Sequence, residues 1–161
     1  LGLGLGAVGL ATGSERHWGE ARNIMRDAAR DIGSDGFLPK ELKRGKRALH
    51  YHTFSLMPLV TLAELASAKG EDWYKLNGGA LHRLVNATAR SLVNPEQMDR
   101  LAGVVQERPL RSRAGWSQLY ETRFPDRRLP TNLPASKPHH RWLGGNVSAL
   151  RRALSDFASS N

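Results

Sequence analysis

Apolar side chains recur every three or four residues through most of this chain, and nowhere do they alternate over a useful length. Trp18, Ala21, Ile24, Met25, Ala28 and Ile32 fall on one face of a helix; Ser14, a residue type that caps helices, precedes them, and Gly33-Ser34-Asp35-Gly36 ends the run. Leu56, Leu59, Val60, Leu62, Ala63, Leu65 and Ala66 predict a mostly apolar helix closed by Gly70, with Pro58 in its first turn or at a kink. Leu81, Leu84, Val85, Thr88, Leu92 and Val93 predict another, stopped by Asn94-Pro95. That pair, with Glu96 and Gln97, caps a short helix reaching about Gly103. Trp116, Leu119 and Tyr120 mark a further helical piece, and residues 146–158 a last one. A strand would send neighbouring side chains to opposite faces, which this spacing does not suit. The expected fold class is therefore all-α, with Pro125, Pro130, Pro134 and Pro138 making residues 125–140 an extended connector.

The opening LGLGLGAVGLATG has no basic lead-in, no initiator Met and no convincing small-residue cleavage site. At about a dozen residues it is too short to span a bilayer, so it reads as a Gly-rich buried helix or close-packed segment. A chain that starts on an apolar run without Met is expected to be a piece of something longer. Its 161 residues, 40% of them hydrophobic, suffice for one core, and residues 1–161 read as a single domain. Twenty-four Lys and Arg against fifteen Asp and Glu give a net charge of +9, which favours an anionic partner: nucleic acid, acidic membrane or acidic polysaccharide. With no cysteine there is no disulfide, thiol nucleophile or cysteine metal site.

The densest chemistry lies in residues 43–54, KRGKRALHYHTF. Arg44 and Tyr51 are seven apart, close to two helical turns, so on a helix they share a face with Arg47 and Ala48 between them. On a strand they would diverge, and Gly45 makes a regular helix uncertain. Spacing alone favours a solvated arginine and an amphipathic rim tyrosine over a site. His50 and His52 could ligate one metal from a strand, but on a helix the rings diverge by roughly 200°. No third ligand lies at suitable spacing, so no metal is expected, and each histidine reads more simply as structural. His17 and His82 fall in helices as rim residues, and His139-His140 in the connector.

These residues also carry a resemblance. Asp35-Gly36-Phe37-Leu38-Pro39-Lys40-Glu41-Leu42-Lys43-Arg44, continuing through Arg47-Ala48-Leu49-His50-Tyr51-His52 to the Pro58 helix, is similar to the central block of mannuronate-type alginate lyases. The similarity is gapless over roughly residues 35 to 70 and continues loosely through Trp18, Gly79-Ala80-Leu81 and Leu143-Gly144-Gly145; residues 95–140 match poorly. The resemblance implies part of an (α/α) toroid, a double-layered ring of helices around a cleft, that cleaves 4-linked polyuronates by β-elimination without a metal or other cofactor. It implies that Arg44 neutralises the uronate carboxylate and Tyr51 is the catalytic tyrosine. A cation on that carboxylate stabilises the enolate-like transition state, and arginine's planar fork matches a carboxylate. A tyrosine, with a reference pKa of about 10, can protonate the departing 4-oxygen. Arg47 and His52 are expected at the substrate. Arg141 and Trp142, before Leu143-Gly144-Gly145, are expected to form a sugar subsite, though the resemblance would place an arginine where Trp142 stands.

The Asn-Asn-His motif such lyases also use does not occur in these residues, and the alignment register would put it before Leu1. The chain is thus expected to be the C-terminal portion of a lyase domain, and the expected partner is an acidic polysaccharide. Position 54, Tyr in some such lyases, is Phe here, which leaves Tyr51 as the motif's hydroxyl. Periplasmic or secreted placement follows from the resemblance alone. Two rivals explain the charge differently. One is a basic nucleic-acid-binding module using Arg108–Arg113 and Arg123–Arg128, which lacks a helix-turn-helix or aromatic RNA-binding motif. The other is a non-catalytic carbohydrate-binding fragment. Neither nucleic acid nor membrane is the favoured partner.

Overall fold

The structure, a computed structural model, describes residues 1–109, 115–133, 139–140 and 145–159. In chain order its helices are α1 (Gly2–Thr12), α2 (Glu15–Asp31), α3 (Pro39–Leu42), α4 (Ala48–Ala68), α5 (Leu76–Val93), α6 (Glu96–Ala102), α7 (Gly115–Arg123) and α8 (Val147–Ser159). Short 3-10 turns at Gly45–Arg47 and Trp73–Lys75 lead into α4 and α5. A two-residue antiparallel ladder pairs β1 (His139–His140) with β2 (Gly145–Asn146). The all-α expectation holds.

The central element is α4, which touches α1, α5, α7 and α8 and buries residues on every side, from Leu49 through Leu56, Val60 and Leu62 to Ala66. A helix apolar all round belongs inside a domain, and this one does. It begins earlier than the apolar spacing of residues 56–66 indicates, and it carries Pro58 in its interior. Pro58 removes one N–H from the ladder. Burial of Leu56, Met57, Val60 and Thr61 on either side outweighs that loss, so the motif and the apolar stretch form one continuous helix.

Helix α1 bears out the close-packed alternative: Gly2, Gly6 and Gly9 are buried, while Ala7 and Val8 are exposed. A Cβ on Gly9 would lie 2.8 Å from the Trp18 backbone nitrogen, so the glycine is what lets α1 lie directly on α2. Ser14 sits at the start of α2 with extended backbone, but its hydroxyl bonds His17 Nδ1 at 2.7 Å instead of capping an amide. Trp18, Met25, Leu56, Tyr74, Leu84, Trp116 and Tyr120 share one core formed by α2, α4, α5 and α7. The connection after α4 is pinned by Glu71: Trp18 and Trp73 each donate an indole N–H to it at 2.7 Å, and Arg22 Nε donates at 2.9 Å.

Candidate active site

The motif region is built on a folded-back loop. Asp35 Oδ1 accepts the Phe37 amide at 3.0 Å, and Gly36, at φ 87°, lets the chain turn directly against the Arg83 carbonyl. Phe37 is thereby buried edge-on to His52. Pro39 then opens α3, where its missing N–H costs nothing. Gly45, at φ 58°, ends the turn after α3, and the 3-10 turn through Arg47 redirects the backbone into α4. Arg44 and Tyr51 therefore do not lie on one regular helix. They meet across this bend.

The Arg44 guanidinium carbon sits 4.7 Å from the centre of the Tyr51 ring, within cation–π range. Arg44 is exposed and Tyr51 half-buried, so the cation and the phenol present together at the surface. Glu41 Oε2 accepts from Arg44 Nε at 3.3 Å. The His50 ring packs edge-on against Tyr51 at 5.3 Å. One turn further along α4, exposed Phe54 lines an open, mainly apolar cleft of about 520 Å³ with Leu1, Leu3, Met57 and Pro58. Another cleft of about 540 Å³ runs along α7 past Phe124 and Arg127, and neither Arg44 nor Tyr51 lines it.

The other sequence-derived residues separate. Arg47 is exposed, with Nε 3.5 Å from Glu107 Oε2, and Lys46 Nζ reaches Oε1 of the same carboxylate at 2.9 Å. The Lys46 hydrogen bond is the main cause holding the Glu107 carboxyl below its ordinary pKa. His52, expected at the substrate, is fully buried. Its Nε2 accepts the Leu38 amide at 2.9 Å, which leaves the proton on Nδ1 to be donated to the Ala48 carbonyl at 2.8 Å. Burial lowers its pKa, and with no exposed surface the ring touches no ligand. The histidine is a strut between the Leu38 turn and α4. Arg141 and Trp142 lie outside the described residues. Among the described residues no three His, Asp or Glu gather as a metal site.

Sequence reasoning missed Gln106. Its Oε1 accepts the Leu49 amide at 2.9 Å, while Nε2 donates to the Gly45 and Val104 carbonyls at 3.1 and 2.9 Å. It is buried and clamps both ends of the bend between Arg44 and Tyr51. Nothing in the sequence near the motif signals a partner about sixty residues downstream.

Arg44 and Tyr51 thus stand side by side at the surface above buried struts; in general a cation can bind an anionic group, and a phenol beside it can exchange a proton. Residues 2–98 match the family described as alginate lyase, and the chain belongs to that family. It is 37% identical over 150 residues to a polysaccharide lyase of Stenotrophomonas maltophilia, covering 92% of this chain and 45% of that protein. It is 41% identical over 97 residues to an alginate lyase of Azotobacter vinelandii, covering 60% of this chain and 26% of that protein. The solved structure of alginate lyase A1-III complexed with tetrasaccharide superposes with a TM-score of 0.79 at 23% identity, over 93% of this chain and 44% of that one. The fold is accordingly part of an (α/α) toroid. The chain spans less than half the length of these relatives.

Proposed function

We propose that this chain carries the arginine–tyrosine part of a polyuronate lyase site that cleaves alginate, with polymannuronate as the preferred polymer, by β-elimination. The observation that carries the reading is Arg44 held 4.7 Å over the Tyr51 ring at an exposed surface, in a chain of the alginate lyase family. Arg44 binds the carboxylate on C5 and draws charge into it as the C5 proton leaves to a general base. The electron pair forms the C4–C5 double bond, the C4–O4 bond breaks, and the Tyr51 hydroxyl gives its proton to the departing oxygen.

Arg47, one helical turn from Tyr51 and paired with Glu107 only at the surface, suits a neighbouring uronate. Arg141 and Trp142 are assigned to a further sugar subsite from the sequence alone. The net charge of +9 serves the same polyanion by long-range attraction. Periplasmic or secreted placement goes with such a substrate.

The test is incubation of the full-length protein with polymannuronate and, separately, polyguluronate, following the ultraviolet absorbance of the unsaturated uronate. Growth of that absorbance on polymannuronate supports the reading. Its absence on both polymers, with the protein folded, removes it.

A further inference from the structure

The Arg44–Tyr51 pair has a third member that the sequence reading did not use. Glu41, at the end of α3, reaches Arg44 Nε with Oε2 at 3.3 Å, and its side chain is 21% exposed against 56% for Arg44. The same guanidinium lies over the Tyr51 ring at 4.7 Å. Two contacts of different kinds thus fix one planar group: an acceptor in its plane at Nε, and an aromatic face beneath it. Among the described residues the two terminal nitrogens of Arg44 have no hydrogen-bond partner.

We infer that Glu41 is a positioning residue for the proposed lyase site: it occupies Nε, holds the Arg44 plane against Tyr51, and so leaves the Nη1–Nη2 edge as the fork that receives a uronate carboxylate end-on. This rests on the proposed roles of Arg44 and Tyr51, and it adds the direction from which the acid group enters. Arginine presents five N–H donors in a fixed geometry, and a carboxylate can take either the Nε–Nη edge or the Nη–Nη edge. With Glu41 on the first, only the second is open. Without Glu41, the long side chain is free to swing off the ring, since a cation–π contact at an exposed site is weak.

The placement of Glu41 follows from the local fold. Glu41 and Arg44 are three residues apart, and the Arg44 amide bonds the Glu41 carbonyl at 3.0 Å, so the turn itself brings the two side chains to one side. An exposed pair of this type contributes little to stability. A large effect of Glu41 on turnover therefore has to come from what it does to Arg44.

The experiment is a double-mutant cycle in the full-length protein, with polymannuronate as substrate and melting temperature measured throughout. Glu41→Ala is expected to lower kcat/KM by about tenfold or more, because small misplacement of a substrate-positioning group is enough for that, with the melting temperature nearly unchanged. Glu41→Gln, which keeps an acceptor oxygen at the same reach, should recover most of the loss. In an Arg44→Ala background, Glu41→Ala should add no further loss, since the group it positions is gone. If Glu41→Ala is as active as the parent, or costs the same factor with and without Arg44, the positioning role is overturned. If Arg44→Ala by itself leaves turnover intact, it is the assignment of the site that fails, and the two failures are told apart within the same four proteins.

Discussion

The Leu38 amide donates to His52 Nε2 at 2.9 Å, tying the loop that leads to Arg44 directly to the helix that carries Tyr51. The ring spends both nitrogens on backbone, the second on Ala48 at 2.8 Å. Truncating it by His52→Ala leaves the buried Leu38 amide without an acceptor and opens a cavity beside Phe37. The expected loss is about 3 kcal/mol of stability, read from chemical denaturation. An unchanged unfolding midpoint would mean the bond does not hold the loop.

The same histidine gives a pH dependence of known sign. Burial lowers its folded pKa below the ordinary 6.5, so folded His52 is neutral where the unfolded chain takes up a proton. Its contribution is fully present above about pH 6.5 and is lost as pH falls from there through the lowered folded value. Stability measured between pH 7.5 and 5 should decline in the parent and decline less in a His52→Gln variant. Parallel curves would rule out His52 as the source.

Glu71 acts lower on the scale. The Arg22 hydrogen bond, aided by those from Trp18 and Trp73 and opposed by partial burial, brings its carboxyl from 4.5 to about 2. A depressed carboxyl stabilises above its unfolded pKa, so this contribution, about 3 kcal/mol, is present above pH 4.5 and disappears as pH drops toward 2. Glu71→Gln replaces one acceptor oxygen by a donor facing an indole or guanidinium N–H. It should lower stability by about 2 kcal/mol at pH 7 and remove this acid-sensitive step from the unfolding profile. A variant as stable as the parent at neutral pH would contradict the role given to this carboxylate.

At Gly36 the backbone stands at φ 87°, and a Cβ there would come 2.4 Å from the Arg83 carbonyl oxygen. Gly36→Ala combines left-handed strain with a clash against main chain, which cannot rotate away. The expected loss is about 3 kcal/mol or more, with weaker protection of the Leu38 and Phe37 amides in hydrogen exchange. Normal protection there would show that the loop has another conformation open to it.

How much of this was readable beforehand depends on sequence distance. Helices α2, α5 and α6 declare themselves because apolar spacing and the Gly33 and Asn94-Pro95 stops act within a few residues. The pairing of Arg44 with Tyr51 came from the resemblance and not from spacing, since the bend at Gly45, and not a shared helical face, brings them together. What stayed hidden depends on burial or on remote partners. Read from the residues alone His52 is structural, and the buried strut bears that out; it was expected at the substrate as well because residue type does not say which way a ring points. Gln106 and Glu71 organise the motif bend and the α2 contact through bonds to residues far away in sequence. Pro58 left a first-turn and an interior position both open, because local rules count the missing N–H and not the packing around α4, which places it inside the helix.

The arginine and tyrosine make the most demanding forecast. Tyr51→Phe keeps the ring under Arg44 and removes only the hydroxyl, so in the full-length protein folding should survive while kcat on polymannuronate falls by roughly a hundredfold or more. Arg44→Lys keeps a charge but loses the planar two-pronged contact, and it should impair turnover clearly. Arg47→Lys should do so much less, because Arg47 faces Glu107 at 3.5 Å and not Tyr51. If these side chains only decorate the surface, the opposite pattern appears: each substitution shifts stability by a fraction of a kcal/mol and leaves turnover near normal. Measuring kcat and melting temperature on the same preparations separates the two, since a drop in rate at constant melting temperature has no source other than the chemistry at this pair. A well-folded Tyr51→Phe protein with near-normal turnover would take the tyrosine out of the proton transfer, and the elimination would need its acid elsewhere in the cleft.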